Sequence, residues 1–367
     1  MKILVYEDNL SGHRLEYLHH FWEGTKLYPE NEYIFAVPES FKEKRSLLKW
    51  SECKNASLRY FDNRNLSKFK SVLNLLKIAK SEKVSEIKLS SLMAFMPFVA
   101  FFPKRIKVSG IIYLIYLYRW KSSSFVKKAA DVLKYLMFKF SWCIKDVYIL
   151  NDCVSAYRLN KIYKTDKFTY IPDPVFIENA DCPKAEIKVK NNRQIFFHFG
   201  ALTARKGTIE ILKAIELLPE NELNDKTFIF AGKVLSGIKT EFYDRVKLLT
   251  KRRADIKVYD KFCDYEFIHK IGRQSDCILA PYSNVECSSG LLAYAAYWQK
   301  PIVVPQRGLI GKLAKKYGYG ILIKDTSCKS LYAVLAGFRG KAVNADLCQA
   351  YIQRNSIEKF QQIFMRF

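Results

Sequence analysis

The sequence predicts an α/β protein made of two doubly wound parallel-sheet domains. Three observations lead there. Short apolar runs of strand length alternate with segments of helical periodicity, and the series runs twice. A polar, charged stretch at 175–194 separates the two series, just after the break Pro172-Asp173-Pro174. A chain of 367 residues is also too long for one compact core and suits two domains of ordinary size.

The first series opens on Lys2-Ile-Leu-Val-Tyr6, an apolar run typical of a strand buried on both faces. A turn from Glu7 to Gly12 leads into a helical pattern with Leu15, Leu18, Phe21 and Trp22 on one side. Further strands are expected at 33–37, 57–61, 86–89, 108–114, 147–150 and 168–171, with helices between most of them. The second series starts at Ile195-Phe-Phe-His-Phe199. It continues with a helix at 208–218, strands at 227–231 and 256–259, a helix at 266–272 and a strand at 277–280. A helix at 290–299 and a strand at 301–305 complete it, and a last helix is expected around 356–365. The domains are therefore an N-terminal Rossmann-like domain over 1–174, a C-terminal one over 175–345, and a terminal segment over 346–367. In such sheets ligands bind at the carboxyl ends of the strands, so the cleft between the halves is the expected site.

Composition narrows the class. With 49% apolar and 15% aromatic residues the chain is not disordered. The longest apolar run, Leu92 to Pro103, is too short to cross a bilayer and contains Pro97. The four apolar residues after Lys2 are too few for a signal peptide, so a cytoplasmic protein is expected. Nine cysteines without a C-x-x-C pair point to reduced, packed thiols rather than disulfides or zinc.

The charge is uneven. Lys and Arg number 61 against 36 Asp and Glu, a net +25. Between Arg64 and Lys145 there are 17 basic residues and three acids, so +14 falls within 82 residues. The same stretch is rich in aromatics. In a helix expected from 124 to 145, Lys127, Asp131, Lys134, Ser141 and Lys145 form one polar stripe in an otherwise apolar surface. Either this helix is mostly buried with a solvated charged face, or it lies on an anionic membrane. In the second case Trp120 and Trp142 sit at the interface, and Arg119, Lys121, Lys127, Lys128 and Lys134 meet the headgroups. Nucleic acid would use the same charge, but no RNP, helix-turn-helix or zinc pattern accompanies it, so nucleic acid is not an expected partner.

Three loops suit an anionic ligand. Gly200-Ala-Leu-Thr-Ala-Arg-Lys-Gly207 joins a buried strand to a helix and sets two cations beside a helix N-terminus. Pro281-Tyr-Ser-Asn-Val-Glu-Cys-Ser-Ser-Gly290 follows the next strand, with Ser288, Ser289 and Gly290 opening a helix and Glu286 just before them. The N-terminal turn adds Ser11-Gly12-His13-Arg14, where Gly12 permits close backbone approach. No G-x-G-x-x-G follows the first strand, which argues against a dinucleotide oxidoreductase.

Taken jointly, strand–Gly-Ala-Leu-x-x-Arg-Lys-Gly–helix, strand–Pro-x-Ser-x-x-Glu-x-x-x-Gly, Lys300-Pro-Ile-Val303 and the loop at Gly308 resemble a family. They are similar to the nucleotide-sugar domain of a bacterial GT-B glycosyltransferase of the glycosyltransferase 4 type. Ser11-Gly-His-Arg-Leu-Glu-Tyr17, the connector Ile171-Pro-Asp-Pro-Val175 and the final helix fit the same family, so the resemblance spans nearly the whole chain.

The resemblance implies a GT-B fold whose last helix crosses back to the first domain. It also implies a retaining transfer of a sugar from a UDP- or GDP-sugar to an acceptor hydroxyl. The family's phosphate-binding lysine corresponds to Lys206, and the first glutamate of its E-x7-E motif to Glu286, near the donor sugar. Arg205, Gly207, Ser288, Ser289 and Gly290 are implied around the diphosphate, Gly12 gives the donor room, and His13 lies near the acceptor. The second glutamate, which usually contacts the ribose, falls on position 294, where this chain has Tyr294. The arginine usual after the first loop's glycine is replaced by Ala201, a role that Arg205 is taken to cover. No D-x-D is present, so no metal or other cofactor is expected. The basic first domain suggests a glycan or lipid-linked acceptor and a peripheral position on the inner face of the plasma membrane. The departures at 201 and 294 leave a catalytically silent nucleotide-binding protein as one alternative, and the net charge leaves a basic nucleic-acid-binding protein as another.

Overall fold

A computed structural model of the chain describes residues 1–10, 14–63, 67–174, 193–286 and 288–366. It divides into two units, Met1–Pro174 with Asn355–Phe367, and Val175–Arg354.

In the first unit the chain runs β1 (Lys2–Tyr6), α1 (Arg14–Gly24), β2 (Glu32–Pro38), α2 (Phe41–Lys44), β3 (Ala56–Phe61) and α3 (Lys68–Ser81). It continues through β4 (Glu86–Leu89), β5 (Lys107–Ile112), α4 (Phe125–Phe140), β6 (Ile144–Leu150), α5 (Cys153–Tyr163) and β7 (Phe168–Ile171). The seven strands are all parallel in the order β3-β2-β1-β4-β5-β6-β7. Ile3, Leu4 and Val5 are buried on successive faces, which an apolar run without alternation requires. The strand order reverses between β1 and β4, the place in such a sheet where the flanking loops part.

The second unit repeats the plan. Its elements begin with β8 (Gln194–Phe199), α6 (Thr208–Glu216), α7 (Glu220–Asn224), β9 (Lys226–Ala231), α8 (Lys239–Lys251), β10 (Asp255–Tyr259) and α9 (Tyr265–Gln274). They end with β11 (Cys277–Leu279), α10 (Leu291–Trp298), β12 (Ile302–Pro305), α11 (Gly308–Lys316), β13 (Gly320–Ile323), α12 (Cys328–Gly337) and α13 (Ala345–Arg354). The parallel order is β10-β9-β8-β11-β12-β13, reversing between β8 and β11. The sixth strand, β13, was not expected: it is four residues long, opens on a glycine and is only half-buried over Gly320 to Leu322.

The chain then returns to the first unit as α14 (Ile357–Met365). The crossing lies at 354/355 rather than at 346, because α13 belongs with the second unit. Phe360, Phe364 and Met365 repeat on one face of α14 and are fully buried. Phe364 stacks on Phe21 of α1 with ring centroids 3.7 Å apart, and Phe360 lies 5.4 Å from the same ring. Gly24 leaves room for this approach, since a Cβ there would come within 3.1 Å of Gln361 and Met365. Below the helix end, the fully buried Lys88 pairs with Glu86 at 3.0 Å and donates to the Arg366 carbonyl at 2.9 Å. Burial holds its amine below the usual lysine range, and Glu86 with that carbonyl compensates it.

The helix expected over 124–145 is shorter, and its polar stripe is split: Lys127 and Lys134 are exposed and Asp131 is buried. α4 ends at Phe140 because the Ser141 hydroxyl donates to the Ala100 carbonyl at 2.8 Å and accepts from the Ile144 amide, turning the chain into β6. Asp131 and Ser141 are buried, with Tyr135 and Phe138 beside them, whereas Phe125, Val126, Leu133 and Phe140 are exposed. The reason is Arg119, whose guanidinium donates to both Asp131 oxygens at 2.7 Å and lets the carboxylate face inward.

Replacing the stacked ring, Phe364→Ala, should lower the unfolding free energy by about 3–5 kcal/mol. The exposed ring change Phe101→Ala should alter it by less than about 0.5 kcal/mol, both read by urea unfolding.

Candidate functional site at the carboxyl edge of the second sheet

β8 carries one buried polar residue among its apolar ones, His198. Its Nδ1 donates to the Leu279 carbonyl of β11 at 2.8 Å, which leaves Nε2 to accept from the Thr208 hydroxyl at 2.9 Å. The Thr208 oxygen in turn accepts from the Thr203 amide at 3.1 Å. This directed relay ties the loop after β8 to the first residue of α6 and to the neighbouring strand. Burial pushes the imidazole down to about 4, so it stays neutral.

The loop itself is shaped by two glycines. Gly200 has φ +84°, and a Cβ there would lie 2.4 Å from Lys206 Nζ, so the amine occupies the space that a side chain would take. Lys206 Nζ donates to the Phe199 carbonyl at 3.3 Å, and its amide donates to the Thr203 hydroxyl oxygen at 3.2 Å. Gly207, at φ +73°, starts α6; a Cβ there would meet the Pro281 carbonyl at 2.5 Å. The glycine therefore lets the loop close onto the next one.

That second loop is joined to the first by hydrogen bonds. The Ser283 amide and hydroxyl both donate to the Arg205 carbonyl, at 3.0 and 3.2 Å. Tyr282 is buried between the loops with the Arg205 and Lys206 cations each 5.7 Å from its ring centre. A third loop joins where the Leu309 amide donates to the Val285 carbonyl at 3.3 Å. Glu286 and Ser288 are half-buried, and the buried Ser289 accepts from the Leu291 amide just ahead of α10. Lys206, Arg205, Gly207, Glu286, Ser288, Ser289 and Gly290 thus lie on loops that leave neighbouring strands at one edge of one sheet. The N-termini of α6 and α10 open at that edge. The arrangement offers two cations and two helix dipoles to an anion.

Tyr294 lies in the first turn of α10. Its buried ring packs against Trp298 at 5.4 Å and Phe199 at 5.7 Å, in an aromatic cluster with His269, whose Nδ1 accepts from the Trp298 indole at 2.9 Å. Gly12 and His13 lie outside the described residues. Sequence reading passed over His198, Thr203, Thr208 and Tyr282. The available signal was a histidine inside an otherwise apolar strand.

Of the residues expected to face a membrane, Arg119 turns inward to Asp131. Trp120 is part-exposed with the Lys128 amine 5.5 Å from its ring, Trp142 is half-exposed, and Lys121, Lys127 and Lys134 are exposed. No helix among the described residues is long and apolar enough to cross a membrane. Among the described residues no group of three His, Cys, Asp or Glu side chains could hold a metal ion.

No family model matches the chain, and no curated protein matches it in sequence. Solved structures match it in fold over its whole length. HepE from Anabaena, in complex with UDP and glucose, superposes with a TM-score of 0.70 at 16% identity, covering 100% of this chain and 98% of that one. WaaG, a glycosyltransferase involved in lipopolysaccharide biosynthesis, gives 0.66 at 12% identity with 100% of both chains covered. A glycosyltransferase from Rickettsia africae gives 0.64 at 15%, covering 99% and 92%. The chain has the GT-B fold, two Rossmann-like units each built on a parallel sheet.

The His198 relay has a pH signature. The unfolded imidazole titrates near its ordinary value and the native one only near 4, so acid protonates the unfolded chain first. Stability is whole above about pH 6.5 and falls as pH drops towards 4. Between pH 7.5 and 4.5 the wild type should lose roughly 2–3 kcal/mol more than His198→Gln, measured by urea unfolding at each pH.

Proposed function

We propose that the chain is a glycosyltransferase that moves a sugar from a UDP-sugar to an acceptor hydroxyl with retention of configuration. The observation that carries this reading is the Lys206 amine held over Gly200 beside Arg205, where three loops meet at the carboxyl edge of the second sheet. The presence of UDP in HepE, a chain of the same fold, supports a uridine donor. On this reading the anomeric C–O bond breaks with its electron pair leaving on the diphosphate. The acceptor oxygen bonds to the same face and passes its proton to the departing diphosphate oxygen. Lys206, Arg205 and the two helix dipoles take up the charge that grows on the diphosphate, and they need no metal for it. Glu286 is assigned to the donor sugar, and His13, which lies outside the described residues, to the acceptor.

The acceptor in this proposal is lipid-linked or part of a cell-surface glycan, met at the inner face of the plasma membrane. The support is α4, which presents Phe125, Leu133 and Phe140 outward, 84%, 61% and 70% exposed. Lys127 and Lys134 flank them, and Phe101 and Trp142 continue the aromatic surface beyond the helix end. An exposed apolar stripe flanked by lysines matches an anionic bilayer surface. A second reading, nucleotide binding without turnover, is favoured by Tyr294, whose buried ring offers no carboxylate to a ribose.

A thermal-shift panel of UDP, GDP and their sugars, followed by a transfer assay, separates the two readings. UDP and a UDP-sugar should stabilise the wild type. Lys206→Ala should abolish the shift and cut transfer by about 10²–10³-fold. A folded Lys206→Ala protein with full transfer overturns the proposal, and UDP binding without transfer to any acceptor selects the second reading. Gly200→Ala, which sets a methyl where the amine lies, should weaken UDP binding without unfolding the chain.

The membrane surface has its own measurement. The wild type should float with phosphatidylglycerol-containing vesicles at low salt, and Leu133→Asp with Phe140→Asp should remain in the soluble fraction while still binding UDP. No flotation of the wild type removes the membrane from the proposal.

A further inference from the structure

The first sheet has a site of its own where its strand order reverses. A cavity of about 480 Å³ opens at the carboxyl ends of its strands, within the usual range for a small-molecule site. Asp8 follows β1, Lys44 ends α2 after β2, Asn63 follows β3 and Phe95 follows β4, while Lys68 and Ser71 come from the first turns of α3. Elements far apart in sequence therefore converge on it.

Its charges do not balance. Arg14, Lys44 and Lys68 line the cavity against one carboxylate, Asp8. Arg14 is held in the wall by Glu7, buried at the end of the first strand, whose Oε1 lies 3.0 Å away. Glu7 also accepts from the Asn9 amide at 2.9 Å and from the Ser90 hydroxyl. Burial pushes its carboxyl up to about 7, so near neutral pH it offsets Arg14 only in part. Asp8 stands 3.7 Å from the same guanidinium. Lys44 and Lys68 have no carboxylate within 4 Å among the described residues. Two lysines without a carboxylate partner leave the cavity with an excess of positive charge that an anion would offset.

The remaining lining sets the shape of the ligand. Phe95 is buried, its ring edge-on to Tyr6 at 5.6 Å, and with Leu10 it forms an apolar wall. Ser40, Ser71 and Asn63 offer hydroxyl and amide groups, with Asn63 fixed by donating to the Asp8 carbonyl at 2.9 Å. An apolar wall, short polar groups and a pair of cations suit a sugar ring that carries an oxyanion.

We propose that this cavity binds an acidic acceptor sugar, with Lys44 and Lys68 on its phosphate or carboxylate. The inference rests on the reading of the chain as a glycosyltransferase, in which the donor diphosphate already has its cations at the reversal of the second sheet.

Isothermal titration of the full chain at low salt with glucose 1-phosphate, glucuronate and glucose tests it. Both anionic sugars should bind at least about ten-fold more tightly than glucose, and the tighter of the two names the oxyanion. The double variant Lys44→Ala/Lys68→Ala should lose that preference, Lys44→Arg/Lys68→Arg should keep it, and Lys206→Ala should leave it intact. The double-alanine protein should bind UDP as the wild type does, which shows that it is folded. Equal binding of glucose, or an anion preference that survives the double-alanine change, overturns the proposal. An anion preference lost only in Lys206→Ala also overturns it, because the anion then sits at the donor loop and the donor reading stands. If the preference follows Lys44 and Lys68 but the wild type binds no nucleotide, the cavity's ligand class holds and the transferase reading fails.

Discussion

The candidate site depends on a neutral imidazole in a place where water cannot reach it. His198 has both ring nitrogens engaged, one by a β11 carbonyl and one by the Thr208 hydroxyl, and a buried imidazole with an unmatched nitrogen is costly. The direction of every bond in the relay follows from the Leu279 carbonyl, which can only accept. Thr208 must then point its proton at the ring, and its oxygen is free to take the Thr203 amide. The loop that follows has little choice of path. Its carbonyl at Arg205 is offered to Ser283, and the second loop is fixed in consequence.

Much of this architecture was legible in the sequence, and the reasons differ by element. Strands such as 2–6 and 195–199 declare themselves, because a run buried on both faces must be apolar throughout. The loops at 200–207 and 281–290 were identifiable by their position after such strands. What could not be read was how they interlock. Lys206 reaches back into the space where Gly200 has no side chain, and Arg205 holds Ser283 through its carbonyl, which no side-chain pattern reports. The orientation of α4 was hidden for another reason. Periodicity tells that a helix has two faces but not which one is inside, and the deciding partner, Arg119, lies 12 residues from Asp131. β13 escaped because four residues, one of them glycine, carry too little pattern.

The mapped charge also changes meaning once burial is known. Within the basic stretch 64–145, Arg119 and Lys88 are consumed by internal pairing with Asp131 and Glu86. Lys121, Lys127 and Lys134 remain in solvent around the exposed apolar face of α4, and Lys68 lines a cavity. The same composition therefore serves three different ends, and the net figure of +25 reports none of them.

The stack of Phe21 on Phe364 has a bearing on how the protein is born. Residues 1–174 leave the ribosome before the helix that completes their fold exists, and the 180 residues from Val175 to Arg354 are made in between. At ordinary rates of synthesis that interval is on the order of 10–40 s. Throughout it, the groove beside Phe21 and Gly24 stays open and the amine of Lys88 lacks its final carbonyl partner. The second unit has all its own strands before α14 emerges, so the later-made half can close first. For that interval the first half holds its seven strands without the helix that covers Phe21.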